Sequence, residues 1–447
     1  MCGDKVNSSC DGCIVGVKGR HTCHSQVGYE ISRANRGRTS WALDYDCILR
    51  LRLVCMCRKG THTGCCSLSF LRGLIGLLPG YQSGQMGGTV NALLTLRRFE
   101  SYTRHVNHIP KDTTMIVLIP AHNEQDCIAD TITSIKNQTV RGHRIIVVSD
   151  NSTDDTVKIA KDMGVEVIET VDNTHKKAGA LNQALQSIEI DDFVLIMDAD
   201  TQLSGDFIKS AMKELENPTV GAVGAVFTAD RRDSYVRYCQ YLEWMRYANQ
   251  LDRTGKVFVL SGTAAVFRPE ALKSVKNKFG YYYNTNSMTE DSAMTIQLKM
   301  CGWRLKSPQE CKTETETMDN FKSLIVQRTR WTLGAMQNIK LFGVNRVTLE
   351  YLGQQIMLGI SVLMMTLLIV SSIFGFAVSG VHFSLFWLGI GAIFLVERVI
   401  TVDGWKEKTF AALLVPELVY AIVLQLSYVK ALWSFITNKQ IVWHRGD

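Results

Sequence analysis

Phe193-Val-Leu-Ile-Met-Asp-Ala-Asp-Thr201 sets five consecutive apolar residues directly before two carboxylates one residue apart. A run this short and uniformly apolar reads as a strand buried on both faces, as in a parallel sheet covered by helices. Upstream, the design repeats. Met115-Ile-Val-Leu-Ile119 closes on Pro-Ala-His-Asn-Glu124, and Arg144-Ile-Ile-Val-Val148 closes on Ser-Asp-Asn-Ser-Thr-Asp-Asp155. Val165-Glu-Val-Ile168 adds a further short strand. Between them, residues 127–137 repeat Ile128, Ile132 and Ile135 at helical spacing, 153–163 form a helix ended by Gly164, and 178–188 form another. Strands alternating with helices of about ten residues mean βαβ units, hence an α/β fold with a mostly parallel sheet. In such sheets ligands bind outside the carboxyl ends of the strands, where the polar residues collect here.

Asp198 and Asp200 follow a buried strand, which fixes their backbone while the side chains face the crevice. Such a pair can hold a hard divalent ion, Mg²⁺ or Mn²⁺, whose shell a substrate's phosphate oxygens and water complete. The same spacing in an isolated turn would be only a solvated turn. Its place after the strand, with two other acidic strand ends, makes it the candidate site.

The C-terminal third has a different texture. Residues 351–396 contain no Asp, Glu, Lys or Arg. A membrane span needs about 20 apolar residues, so this stretch predicts two spans around a Ser379-Gly380 turn. Residues 410–428 are apolar apart from Glu417 and carry Pro416, predicting a third span. The 402–409 connection carries both signs of charge and gives little orientation signal. Residues 320–343 interleave Phe321, Leu324, Ile325, Trp331, Leu333 and Met336 with Lys322, Arg328, Arg330 and Lys340. That pattern predicts a helix lying in the membrane interface, apolar face to lipid and bases to headgroups. Glu417 is costly in lipid unless it lines an aqueous path or finds a structural partner.

The other end carries the charge. Eleven of the 49 Lys and Arg, but only five of the 42 Asp and Glu, lie in residues 1–85, together with nine of the 13 cysteines. The remainder is nearly neutral, which excludes a uniformly basic nucleic-acid binder. Cys10-x2-Cys13 followed by Cys23-His24 looks like half a zinc site, but no second pair at matching spacing follows. No signal-peptide pattern opens the chain, and the apolar 67–79 stretch is too short to span. Residues 1–85 read as a poorly ordered leader, with Met86 as the functional start. The remaining cysteines (Cys127, Cys239, Cys301, Cys311) are scattered, as in a reducing compartment.

The acidic strand ends, with Ser261-Gly-Thr-Ala-Ala-Val-Phe-Arg268, Thr289-Glu-Asp291 and Gln327-Arg-Thr-Arg-Trp331, resemble the family 2 glycosyltransferases. The last two look like that family's TED and QxxRW motifs. The C-terminal spans are similar to the membrane-integrated branch that includes cellulose, hyaluronan and chitin synthases. The resemblance covers residue 113 to about 343 and implies a GT-A nucleotide-sugar-binding fold over 113–319. It divides the rest into a leader 1–85, a lead-in 86–112, an interfacial segment 320–350, a membrane region 351–436 and a tail 437–447.

Roles follow from the resemblance. Ala121, Glu124, Asp150, Lys177 and Asp198 would bind the nucleotide sugar, with Asp198 and Asp200 at the metal. Glu290, Gln327, Arg330 and Trp331 would bind acceptor or diphosphate. Asp291 would be the general base, which an unactivated sugar hydroxyl needs. Asp291 also sits where acids favour a helix N-terminus, and both readings can hold. The expected activity is inverting transfer from a UDP-linked donor to a saccharide or lipid-linked acceptor, in cell-surface polysaccharide or glycoconjugate synthesis. The expected location is the plasma membrane, multi-pass, catalytic domain cytoplasmic, with membrane lipid as a partner and no nucleic acid. Rival readings are a polyprenyl-phosphate glycosyltransferase and a non-catalytic membrane scaffold or transporter that kept the fold.

Overall fold

The computed structural model describes residues 115–379 and 385–438. The leader with its half-site cysteines, the lead-in segment, the turn after Ser379 and the tail from 439 lie outside the described residues.

A seven-stranded sheet forms the centre, in the order β3-β2-β1-β4-β8-β6-β9. β1 (Met115–Ala121), β2 (Arg144–Ser149), β3 (Glu166–Glu169) and β4 (Phe193–Met197) are mutually parallel and match the four strands expected from sequence. All seven β1 residues are buried because helices cover both faces. Ile116 and Leu118 share a core with Leu181 and Leu185 of α3 (Lys176–Ser187). Val117 and Ile119 face the other way, into the core containing Ile128, Ile132 and Ile135 of α1 (Ile128–Lys136). A further helix, α2 (Thr156–Asp162), links β2 to β3.

Beyond β4 the direction reverses. β8 (Ala264–Phe267) pairs antiparallel with both β4 and β6 (Val220–Gly224), and β9 (Arg304–Lys306) runs parallel to β6. A second sheet, β5 (Gln202–Leu203), β10 (Lys312–Thr315) and β7 (Val226–Ala229), lies beside the β4 exit. The helices between these strands are α4 (Phe207–Leu215), α5 (Tyr235–Thr254), α6 (Pro269–Phe279) and α7 (Glu290–Met300).

Among the described residues five further helices follow: α8 (Phe321–Phe342), α9 (Thr348–Ser379), α10 (Leu385–Ile400), α11 (Trp405–Ala412) and α12 (Val415–Thr437). Two of them, over Thr348–Val378 and Val415–Thr437, are long and apolar enough to cross a membrane. Of the three spans expected, two are clear among the described residues. α10 has 16 residues, about 24 Å of helix at 1.5 Å per residue against a hydrocarbon core of about 30 Å. The expected third span is kept as α12, but it starts later than expected. The chain leaves α11 through Leu413 and Leu414, the latter at φ 57°, before Pro416 opens α12.

The lipid-facing reading of α8 fails as well. Leu324, Arg328, Thr329, Leu333, Gly334, Met336 and Asn338 are buried, so protein surrounds the helix on several sides. The Arg328 guanidinium donates to Glu243 of α5 at 3.0 Å, and Tyr420 of α12 hydrogen-bonds the same carboxylate. The base assigned to a headgroup is thus neutralised by a residue 85 positions away. Glu417 has the structural partners that were one of its two readings: Arg246 at 2.5 Å and Arg398 at 3.2 Å.

Candidate active site

The loops after β1 and β2 hold each other. Asn123 adopts φ 56°, which lets its Oδ1 accept from the Thr153 amide at 2.8 Å, while the Asp150 amide donates to the Ala121 carbonyl at 2.8 Å. Glu124 is fixed through its backbone, whose amide donates to Thr156 Oγ1 at 2.8 Å. Asp150 is buried, and its Oδ1 accepts from Asn173 Nδ2 at 2.7 Å, Thr170 Oγ1 at 3.0 Å and Asn151 Nδ2 at 3.0 Å. Three donors on one oxygen lock the carboxylate's orientation, which suits recognition of a nucleoside's polar edge.

Gly179 makes this possible. A Cβ at that position would stand 2.0 Å from Asn173 Oδ1, so only glycine lets α3 approach the Asn173 loop. Gly179→Ala is therefore expected to displace Asn173 from Asp150. It should raise donor KM at least tenfold with a smaller change in kcat, as read by initial rates against donor concentration.

Lys177 opens the centre of the site. Its Nζ donates to Asp198 Oδ1 at 2.5 Å and to the Gly262 carbonyl at 3.2 Å, and lies 3.5 Å from Glu290 Oε1. Burial pulls the ammonium pKa down, but Asp198, Glu290 and Asp291 outweigh it and hold the group above its usual range. Asp291 lies in the first turn of α7, its Oδ1 accepting from the Ser292 amide at 2.7 Å. Burial and the charge of Glu290 push its pKa up to about 6, Lys177 partly opposing them. Gly262 passes so close that a Cβ there would lie 3.3 Å from Asp291 Oδ2. A cavity of about 310 Å³ is lined by Lys177, Ser261, Gly262, Tyr283, Glu290 and Asp291. The Tyr283 phenol is pushed up by burial, so it stays an O–H donor.

Asp200 is pinned through its neighbours. Thr131 Oγ1 donates to the Ala199 carbonyl at 2.6 Å, and Thr201 Oγ1 lies 3.4 Å from Asp200 Oδ1. Burial and the Asp198 charge raise the Asp200 pKa to about 6, against Lys177. Among the described residues no group of three or more His, Cys, Asp or Glu could hold a metal by itself. Two neighbouring carboxylates nonetheless fit a hard divalent cation that draws its other ligands from a diphosphate and water.

The structure therefore brings Lys177, Asp198, Glu290 and Asp291 together, with Asp200 beside them, while Ala121, Glu124 and Asp150 lie in the linked exits of β1 and β2. Gln327, Arg330 and Trp331 do not line the 310 Å³ cavity. They lie on α8 along the stripe that continues, at helical spacing, through Gly334 and Asn338, and that stripe meets Thr289. Trp331 is half-buried, with the Arg328 guanidinium 4.2 Å from its ring centroid. Gln327 Oε1 is buried with no hydrogen-bond partner among the described residues.

Sequence reasoning missed Thr170, Asn173, Gly179, Tyr283, Gly334 and Asn338. The two glycines carried a signal, since glycine inside a helix weakens it and marks a close approach.

A family model, Glycosyl transferase family 2, matches residues 116–276, which spans the Asp150, Lys177 and Asp198–Asp200 positions and stops short of Asp291 and α8. Among curated proteins, poly-beta-1,6-N-acetyl-D-glucosamine synthase of Staphylococcus aureus (strain MSSA476) is 26% identical over 225 residues, 48% of this chain and 53% of that protein. The Staphylococcus epidermidis (strain RP62A) protein of the same name is 25% identical over 225 residues, with the same coverage. The match thus spans about half the length of the curated relatives. Among solved structures, a mannosyltransferase from Pyrobaculum calidifontis, in complex with GDP-Man and Mn²⁺, superposes with a TM-score of 0.53 at 18% identity. That alignment covers 80% of this chain and 96% of the other, and shows a shared fold. Over residues 116–276 the chain carries a glycosyl transferase family 2 domain.

Proposed function

We propose that the protein is a membrane-anchored inverting glycosyltransferase, taking a sugar from a UDP-linked donor and attaching it to an acceptor hydroxyl. The observation that carries this reading is the cavity in which Lys177 gathers Asp198 and Glu290 beside Asp291 at the carboxyl ends of the sheet. The curated relatives support N-acetylglucosamine as the first donor sugar to test and a β-linked polysaccharide as the product class.

In this reading Ala121, Glu124 and Asp150 receive the nucleoside, and Asp198 and Asp200 would hold Mg²⁺ or Mn²⁺. When bound, the cation would neutralise charge on the departing UDP. Asp291 takes the proton from the acceptor hydroxyl as its oxygen attacks the anomeric carbon from the face opposite the leaving group. One displacement inverts the anomeric centre. Glu290 and Lys177 set the charge around the base, and Gln327, Arg330 and Trp331 on α8 approach the acceptor side. The clustered carboxylates argue against a scaffold that merely retained the fold, because repulsion among buried acids has no structural benefit.

α9 and α12 anchor the protein in lipid, with Ile373, Phe374 and Phe376 exposed on α9. We read α9 and α10 as an out-and-back pair, since both outer ends meet the catalytic domain. Tyr351 Oη donates to the Phe258 carbonyl at 2.5 Å, and Asn249 Nδ2 donates to the Thr401 carbonyl at 3.2 Å. The bilayer accommodates a short helix by local thinning. A donor drawn from the cytoplasmic nucleotide-sugar pool would put the catalytic domain on the cytoplasmic face, and our reading is that the membrane is the plasma membrane.

The test is UDP release from a panel of UDP-sugars by membranes carrying the full chain, with Mg²⁺ or Mn²⁺ present and then chelated. UDP-N-acetylglucosamine is expected to turn over in a metal-dependent way, whereas silence with every donor would remove the enzymatic reading. The pH dependence follows from Asp291, whose raised pKa makes the ionised base available only above about pH 6. Rate should thus fall about tenfold per pH unit below 6 and level off above 7, as read from kcat across pH 5–8.

A further inference from the structure

The loop that ends in Asp291 is gripped from α8. Asn338 is fully buried; its Nδ2 lies 3.2 Å from Thr289 Oγ1 and 3.5 Å from the Thr289 carbonyl, and its Oδ1 accepts from Ser287 Oγ at 2.7 Å. Ser287 Oγ in turn accepts from the Thr289 amide at 3.2 Å. One helical turn earlier on the same face, Gly334 presses against Thr289 so closely that a Cβ there would stand 2.5 Å from Thr289 Oγ1. Thr289 is the N-cap residue of α7, yet its side chain makes no capping bond to the helix; its hydroxyl faces Asn338 instead. Glu290 and Asp291 follow immediately, so the orientation of the first α7 turn is set by α8.

A buried asparagine whose amide satisfies two loop hydroxyls fixes geometry more than it adds stability, because a buried amide needs such partners merely to offset its desolvation. We propose that Asn338 is a positioning residue for the carboxylate of Asp291, acting through Thr289 and Ser287, with Gly334 giving the clearance that lets the grip close. The inference rests on the proposed role of Asp291 and adds a residue outside the family-model match and outside the Gln327–Trp331 motif. It also makes α8, which packs along α12, the physical link between the membrane helices and the base.

The test uses full-length protein in membranes or detergent. Asn338→Ala should lower kcat about 10- to 100-fold with donor KM within twofold, since a misplacement of about 1 Å costs up to about 10²-fold in rate. Asn338→Asp keeps the acceptor for Ser287 and should recover part of that loss. The effects of Asn338→Ala and Thr289→Val should be less than additive when combined, because both break the same contact. Hydrogen exchange at the 289–292 amides should quicken in Asn338→Ala, a readout that needs no turnover. Wild-type kcat in Asn338→Ala, additive losses, or unchanged exchange at 289–292 would each overturn the inference. A wild-type protein inactive with every donor while exchange quickens as expected would instead overturn the glycosyltransferase reading and leave the α8 grip standing.

Discussion

Asp291→Asn is expected to reduce glycosyl transfer by about 10²–10⁴-fold while donor KM changes little. The substitution keeps an oxygen for the Ser292 amide and nearly the same volume, so the first turn of α7 need not move. What it removes is a proton acceptor aimed into the 310 Å³ cavity. The same variant should melt no lower than wild type. A carboxylate whose folded pKa is raised to about 6 stabilises the fold only while protonated, and that stability fades as pH rises from the unfolded value of 3.8 through 6. At neutral pH the ionised group is therefore a cost that the asparagine lifts. Loss of turnover with retained or improved thermal stability, followed by calorimetry and UDP release on one preparation, separates a catalytic base from an N-terminal helix acid. A merely structural Asp291 would lose stability and keep the rate.

Lys177→Met is expected to be the second severe change, acting on both binding and folding. It deletes the only cation found in contact with Asp198 and Glu290 among the described ion pairs and leaves Asp291 beside them without its counter-charge. A hydrogen bond to a charged group contributes about 1.5–3 kcal/mol, and the half-exposed Asp198 puts this one toward the lower end. Donor kcat/KM should drop at least 100-fold. The apparent pKa of the pH–rate profile should move upward, since Lys177 is the group that opposes the rise at Asp291. The shift in the profile is the decisive part, because misfolding would lower the rate without moving it.

How far the sequence carried this account depended on where each residue's partners lie. The parallel half of the sheet was legible because β1 and β4 are buried throughout and β2 over its last four residues, so they appear as apolar runs, whereas β3, Glu166-Val-Ile-Glu169, is exposed at both ends and shows only as a short Val-Ile stretch. β6, Val220-Gly-Ala-Val-Gly224, is equally buried, but its small residues give no such run. Gly221 must stay small, as a Cβ would meet Trp303 at 2.7 Å. The acidic strand ends were legible for the same positional reason. Their assembly was not: Lys177 reaches Gly262 across 85 residues, a contact no local pattern encodes. α8 was misread because amphipathic spacing shows that a helix has two faces, not what each meets. Arg328 meets Glu243 rather than a headgroup, and the face with Gly334 and Asn338 meets the catalytic loop rather than lipid. Of the three expected spans the second is short, as the 16-residue α10, and the third begins only after the break at Leu414, which hydropathy averaged over 410–428 conceals.

The most direct test of the central claim is the anomeric configuration of the sugar as first transferred, read by proton NMR on product made from UDP-N-acetylglucosamine by full-length protein in membranes. A single displacement assisted by Asp291 predicts a β linkage from the α-linked donor. An α-linked product would require a different chemistry at the anomeric carbon and would contradict the role given to Asp291.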